Sequence, residues 1–246
     1  MPQSDQDSGW RGLYRIGGAA AVLAVAFFRR HLSAEVMALT QLGIVRLEPP
    51  SRAMEWFLLL QHSRLPGLVL LDLGDLVEYA LVGVLFLALY GALRRANRSA
   101  MTIATACDLV GVAVNLSSNQ AFAMLALSSQ YVAAGTDAQR ATFLAAGEAL
   151  LAIHNPGGVF LSLLLVALAG LIASLVMLRS RVFGKTTATV GIVANALVLG
   201  YFVALALVPG IAFLFPPISA PFRVVWYTLI ARRLFQLGRG VSEVRP

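Results

Sequence analysis

A few polar side chains lie inside stretches of this chain that are otherwise apolar, and these residues are the ones able to do chemistry. Carboxylates, amides and a guanidinium brought together inside a membrane can bind a ligand, relay protons or hold helices together. The main set comprises Glu78, Asp108, Asn115, Asn119 and Arg223; secondary candidates are Asp75, Tyr79, His154 and Asn155.

Helical geometry predicts that most of these residues form two polar stripes. At about 100° per residue, one arc of about 100° holds a carboxylate, two amides and two small residues: Asp108, Gly111, Asn115, Ser118 and Asn119. A second arc of about 120° lies on the preceding apolar stretch and holds Asp72, Asp75, Glu78 and Tyr79. If the two stripes face each other, they enclose a polar strip inside the protein.

Depth distinguishes the unusual charges from the ordinary ones. At about 1.5 Å per residue, Glu78 lies about 24 Å from Arg94, inside the apolar layer, whereas Asp72 lies near an interface. Asp108 lies about 15 Å from Arg98, and Arg223 lies about 14 Å from Arg232, so both are nearer the midplane of the membrane. A charge at the centre of a membrane helix costs about 2.5–3.5 kcal/mol, so it usually faces inward and pairs. Arg223 therefore needs an acidic or carbonyl partner.

Two interpretations of this set remain open. In the first, the carboxylates, Arg223 and the asparagines line a pocket or a relay. In the second, one carboxylate and Arg223 form a buried ion pair that fixes helix packing, and the asparagines bridge neighbouring helices.

The elements that must position these residues are membrane-spanning helices. Apolar residues make up 59% of the chain and charged residues 13%, against about 45–50% and about 25% in soluble domains. A spanning helix needs about 20 apolar residues, and five stretches meet that length: 66–93, 101–127, 157–178, 187–209 and 217–233. A shorter stretch, 12–28, is predicted to be the first span because Phe27, Phe28 and two arginines make a poor signal-peptide cleavage site. The predicted fold is an all-α bundle of six transmembrane helices.

The positions of the basic residues predict that both termini are cytoplasmic, because cytoplasmic loops are enriched in Lys and Arg. With the N-terminus inside, twelve basic residues fall in cytoplasmic segments and six in external ones. The two arginines that follow the first span, Arg29 and Arg30, run against this bias.

The chain is predicted to form one transmembrane domain, 1–246, with a polar tail (1–11), two external segments (29–65 and 128–156) and a cytoplasmic tail (238–246). A short helix capped by Ser33 and a surface helix over 53–62 are expected in the first external segment. In the second, a capping box at Thr136 to Gln139 predicts a helix that reaches Ile153.

Several membrane chemistries lack the residues they need. His31, His62 and His154 do not form a metal-spaced motif, so no metal site is predicted. The only lysine, Lys185, lies at a loop, which excludes a retinal-type Schiff base. No serine nucleophile motif and no nucleotide-binding glycine loop occurs, and no cofactor is expected. The net charge of +7 comes from short groups between spans, which does not indicate nucleic-acid binding.

Four patterns occur at helix ends and loops: the run LALYGALRRAN (87–97), Ala138-Gln139 before a helix, FGKTTATVGI (183–192) and Pro216-Pro217 before a final helix with a tryptophan. These patterns resemble those of bacterial multi-pass proteins of domain-of-unknown-function family 4386. The resemblance covers about residues 66 to 237. It implies a six-helix protein of the bacterial inner membrane and implies no activity.

The function expected from the residues is non-enzymatic binding of a small or lipidic ligand, or of a membrane protein partner, through an intramembrane polar cavity in contact with the lipid bilayer. The alternative is a small transporter or proton-coupled carrier that uses Glu78 and Asp108. An intramembrane enzyme is the third interpretation, because no nucleophile motif accompanies the carboxylates.

Overall fold

The computed structural model describes residues 3–40, 50–153, 158–212 and 214–240, with the side chains of 9–28, 50–69, 71, 73–152, 158–212 and 214–240. All regular structure in these ranges is helical, which confirms the predicted all-α fold class. The helices are α1 (Gln3–Thr40), α2 (Ala53–His62), α3 (Arg64–Leu68), α4 (Gly74–Leu93), α5 (Arg98–Ser118), α6 (Ala121–Ala133), α7 (Asp137–Ile153), α8 (Val159–Arg179), α9 (Lys185–Leu207), α10 (Pro209–Ala212) and α11 (Phe215–Gly238), with a π-helical turn over Val69–Leu73.

Within the described residues, six segments are long and apolar enough to cross a membrane, as the sequence predicted. They are Gly9–Phe28, Gly74–Leu93, Arg98–Ala133, Val159–Arg179, Lys185–Leu207 and Pro209–Gly238. Their outward faces carry large apolar side chains; Ile103 and Val110 of α5, for example, are 56% and 53% exposed. Side chains of this kind are stable next to lipid, so the chain is a multi-pass membrane protein.

The third predicted span is not one continuous helix. α5 ends at Ser118, and α6 begins at Ala121 after two non-helical residues. The Asn119 Oδ1 atom accepts a hydrogen bond of 3.1 Å from the Ala121 N–H, an Asx turn that satisfies a donor at the new helix start. Four consecutive polar residues, Ser117 to Gln120, lie at this break, and the predicted span ran through them.

The first helix is longer than predicted, and Ser33 is not a helix cap. α1 continues from Gln3 through Ser33 to Thr40. Its membrane portion packs through small residues: Ala20, Ala21 and Ala24 are buried, and Gly17 lies directly against Ala88 of α4. A side chain at Gly17 would overlap that alanine, so close backbone approach joins α1 to α4.

The helices form two compact units. Unit 1 comprises Met1–Ser33, Glu78–Ala113 and Ser162–Pro246. Its core is apolar and contains Phe86, Met101, Met177 and Trp226, each no more than 1% exposed. The polar residues predicted to matter most, Glu78, Asp108 and Arg223, all belong to this unit.

Unit 2 comprises Ala34–Val77 and Val114–Leu161. The predicted helix α2 packs on α6 and α7 within it, and Trp56 and Phe57 are buried there against protein. Polar contacts fix the packing: the Ser128 hydroxyl donates to the Phe57 carbonyl at 3.1 Å, and Glu148 accepts from the Ala53 N–H at 2.9 Å.

The start of α7 follows the capping pattern read from the sequence. The Thr136 hydroxyl accepts from the Gln139 N–H at 3.3 Å, and the Gln139 side chain accepts from the Gly135 N–H at 3.1 Å. The bond to the Gln139 side chain therefore comes from Gly135, one residue before the cap residue Thr136. α7 ends at Ile153, as predicted.

Candidate intramembrane site

Arg223 gathers several of the predicted polar residues around it. Its guanidinium interacts electrostatically with Tyr227, one turn later on α11, and with Glu78 and Tyr79 of α4. On its other side the guanidinium lies 4.8 Å from the ring centroid of Phe28 in α1, a cation–π contact. Arg223 thus has the acidic partner that its depth in the membrane requires.

Asp108 of α5 interacts with one residue of this group, Tyr227, but is bound differently. Its side chain is 0% exposed, and it interacts electrostatically with Tyr227. Neither carboxylate oxygen has a hydrogen-bond partner among the described residues. A buried carboxylate without donors is costly unless a proton, a cation, water or a ligand completes it.

We call Glu78, Tyr79, Asp108, Arg223 and Tyr227 the intramembrane polar cluster. Glu78 and Tyr227 are 7% and 2% exposed, whereas Tyr79 and Arg223 are half-buried. Four of the five were sequence candidates. Tyr227 was missed, although its position four residues after Arg223 on one helix face is a signal that points to it.

Two other buried polar atoms, each within three residues of a cluster member, also lack partners within the described chain. They are the Thr105 hydroxyl, one turn before Asp108 on α5, and the Trp226 indole nitrogen, next to Tyr227 on α11. Most buried polar atoms in proteins are hydrogen-bonded, so these two orphaned atoms are exceptions on the helices that carry the cluster.

Asn115 and Asn119 belong to unit 2, whereas the cluster belongs to unit 1. Asn115 is 4% exposed, and its Oδ1 atom has no partner among the described residues. Asn119 is half-buried and forms the turn that begins α6. Asn119 therefore has a local structural function that helix-face geometry did not reveal.

The remaining candidates add little to the cluster. Asp75 is half-buried in the first turn of α4 and belongs to unit 2. His154 and Asn155 lie outside the described residues, as does the side chain of Asp72. Within the described ranges, His, Cys, Asp and Glu side chains do not form any group of three that could hold a metal ion.

A second polar contact in unit 1 serves packing. Gly191 of α9 lies directly against the Trp226 indole and the Ser174 hydroxyl, while Gly170 of α8 lies against the Asn195 side chain. The Asn195 amide donates to the Gly191 carbonyl of its own helix at 2.7 Å. The glycines let three helices approach closely.

The fold and the cluster define a class: a six-span α-helical membrane protein with charged groups inside its spans. The family model described as Domain of unknown function (DUF4386) matches residues 62–234. The chain therefore belongs to this family, which confirms the resemblance seen in its helix ends. No curated protein and no solved structure matches it significantly.

Proposed function

We propose that this protein binds a small or lipidic ligand inside the membrane through the intramembrane polar cluster, without catalysing a reaction. The observation that supports the proposal is Asp108, whose carboxylate is 0% exposed and has both oxygens unpartnered among the described residues. A ligand with N–H or O–H donors, an amine above all, would complete this carboxylate.

The rest of the cluster suits the same role. The Arg223 guanidinium already has Glu78, Tyr79 and Tyr227 as partners, so Asp108 is not needed to balance it. This division argues against the simplest packing interpretation, in which every carboxylate of the cluster serves only to neutralise the arginine. Asp108 remains available for a ligand.

The proposal is tested by native mass spectrometry of the protein purified from membranes in a mild detergent. We expect an adduct on the unaltered protein that is lost in Asp108→Asn, because an amide is a weaker acceptor than a carboxylate. The matched control is Asp137→Asn, which changes an aspartate that is 98% exposed. An adduct retained in Asp108→Asn, or lost equally in Asp137→Asn, would contradict the proposal.

The second candidate function is a proton-coupled carrier. The same observation favours it, because a membrane-buried carboxylate without donors is able to hold a proton. Proteoliposomes loaded with a pH-sensitive dye are placed in a more acidic buffer. A carrier would acidify their lumen, and Asp108→Asn would abolish this signal. A binder gives no such signal in either protein.

The orientation and location are also proposals. The bias of twelve basic residues against six supports cytoplasmic termini. The family resemblance supports a location in the inner membrane of a bacterium.

A bound membrane protein partner would be found as a co-purifying chain in the same mass spectra.

A further inference from the structure

A cavity of about 300 Å³ lies in unit 1 at the end of α4, far from the intramembrane polar cluster. Arg94 lines it, and about 24 Å of helix separates Arg94 from Glu78. The walls come from α1, the end of α4, the loop before α9 and the end of α11; the polar lining residues are Arg11, Tyr14, Arg94 and Arg95. This cavity is independent of the proposed function.

The Arg94 guanidinium is held in place by an aromatic ring. It lies 4.2 Å from the ring centroid of Trp10, and its Nε atom is buried without a hydrogen-bond partner in the described part of the chain. Gly91 permits this arrangement, because any side chain there would collide with the Trp10 indole. Stacking therefore orients a guanidinium whose hydrogen-bonding capacity is not exhausted.

The opposite wall is fixed by contacts between α1 and the end of α11. The Arg15 Nε atom donates to the Gly238 carbonyl at 3.2 Å, and Gly238 packs against Arg15 and the Arg11 backbone. Gly240 has a φ of 90°, a conformation that favours glycine, and its backbone lies beside the Arg11 guanidinium.

The charge of the lining indicates the ligand. Three guanidinium groups line the cavity, and its described lining contains no carboxylate. A guanidinium matches the geometry of a phosphate, to which it donates two parallel hydrogen bonds. Basic pockets between membrane helices, close to the interface, suit anionic lipid headgroups. The cavity lies at such a position, because α4 ends and α5 begins there.

We propose that this cavity, formed by Arg11, Tyr14, Arg94 and Arg95, binds the phosphate group of an anionic ligand. The source of the phosphate is either the headgroup of an anionic phospholipid or a free phosphate in solution. Both share the same chemistry, and the test distinguishes them.

The test uses the full-length protein purified in a phosphate-free detergent buffer. The probes are short-chain phosphatidylglycerol, short-chain phosphatidylcholine and inorganic phosphate, and the readouts are thermal unfolding and native mass spectrometry. The variant is Arg11→Gln with Arg95→Gln, since both side chains are exposed and their loss should leave folding intact. Arg179→Gln is the control, since it removes an exposed arginine from the end of α8 that does not line the cavity.

We expect phosphatidylglycerol to bind the unaltered protein and the Arg179→Gln control equally. The double variant should need on the order of a hundredfold more lipid for half-saturation, since each lost charge-assisted contact weakens binding about tenfold. If inorganic phosphate binds with the same dependence on the two arginines, the source is a free phosphate; if only the lipid does, the source is a headgroup.

The proposal is overturned if neither phosphatidylglycerol nor inorganic phosphate binds. It is equally overturned if phosphatidylcholine binds as well as phosphatidylglycerol, or if the double variant binds like the unaltered protein. None of these outcomes depends on Asp108, so the proposed function is tested separately.

Discussion

Asp108 and Glu78 are two carboxylates in one cluster with different surroundings. Glu78 interacts with the Arg223 guanidinium, whereas the oxygens of Asp108 have no hydrogen-bond partner in the described chain. The two residues should therefore respond differently to neutralisation. This difference distinguishes a packing residue from a ligand-binding residue without knowledge of the ligand.

We predict that Glu78→Gln destabilises the protein. Removal of the carboxylate leaves a half-buried guanidinium without its acidic partner, which costs on the order of 3 kcal/mol. The measurement is the thermal unfolding temperature in detergent. Glu55→Gln, an exposed substitution in α2, is the control and should change the unfolding temperature much less.

Asp108→Asn should leave the unfolding temperature unchanged or raise it. The substitution breaks no hydrogen bond among the described residues and removes a charge whose place inside a membrane helix costs about 2.5–3.5 kcal/mol. A loss of stability as large as that of Glu78→Gln would show that Asp108 serves packing, and the binding proposal would then fail.

At the scale of the elements, close approach of helices depends on a few glycines. Gly191 of α9 faces two side chains from different helices, Trp226 and Ser174, and the three helices meet at this point. Because Trp226 is 1% exposed, it has little room to move.

We predict that Gly191→Ala destabilises the protein by about 1–3 kcal/mol, because a methyl group there overlaps a buried indole. The measurement is again thermal unfolding in detergent. Gly12→Ala is the matched control, since a side chain at Gly12 would meet nothing within 4 Å. Equal unfolding temperatures for the two variants would show that α9 can shift away from α11 without cost.

At the scale of the whole molecule, the arginine bias predicts which loops face the cytoplasm. A cysteine-scanning experiment begins from Cys107→Ser, because Cys107 is the only cysteine. In intact cells, a membrane-impermeant maleimide should label Gly135→Cys and spare Ser99→Cys, since these positions lie at opposite ends of the span Arg98–Ala133. Labelling of Ser99→Cys alone would show that the topology is the opposite of the predicted one. Labelling of both positions would show that this segment does not span the membrane.

The number of spans could be predicted because bilayer thickness sets a length that apolar composition reveals directly. The extent of the second span was predicted wrongly, because the stretch 66–93 is divided between the end of α3, the π-helical turn and α4, and the candidate span begins at Gly74. α8 and α9, predicted at 157–178 and 187–209, were found at Val159–Arg179 and Lys185–Leu207. Pro216 and Pro217 marked the start of α11, where both lie in the first turn. These signals are local, so a single sequence was sufficient.

What the sequence by itself determined was the class of protein, its helices and the short set of polar residues inside them. Only the tertiary structure decided which of those residues meet: Arg223 interacts with Glu78, Tyr79 and Tyr227, while Asp108 lies without a hydrogen-bond partner in the described chain. It also decided that Asn119 begins a helix, and that Arg11, Arg94 and Arg95, which seemed to be topology signals alone, line a cavity. The physical reason is that depth and periodicity are properties of one helix, whereas contacts depend on how neighbouring helices are rotated and packed.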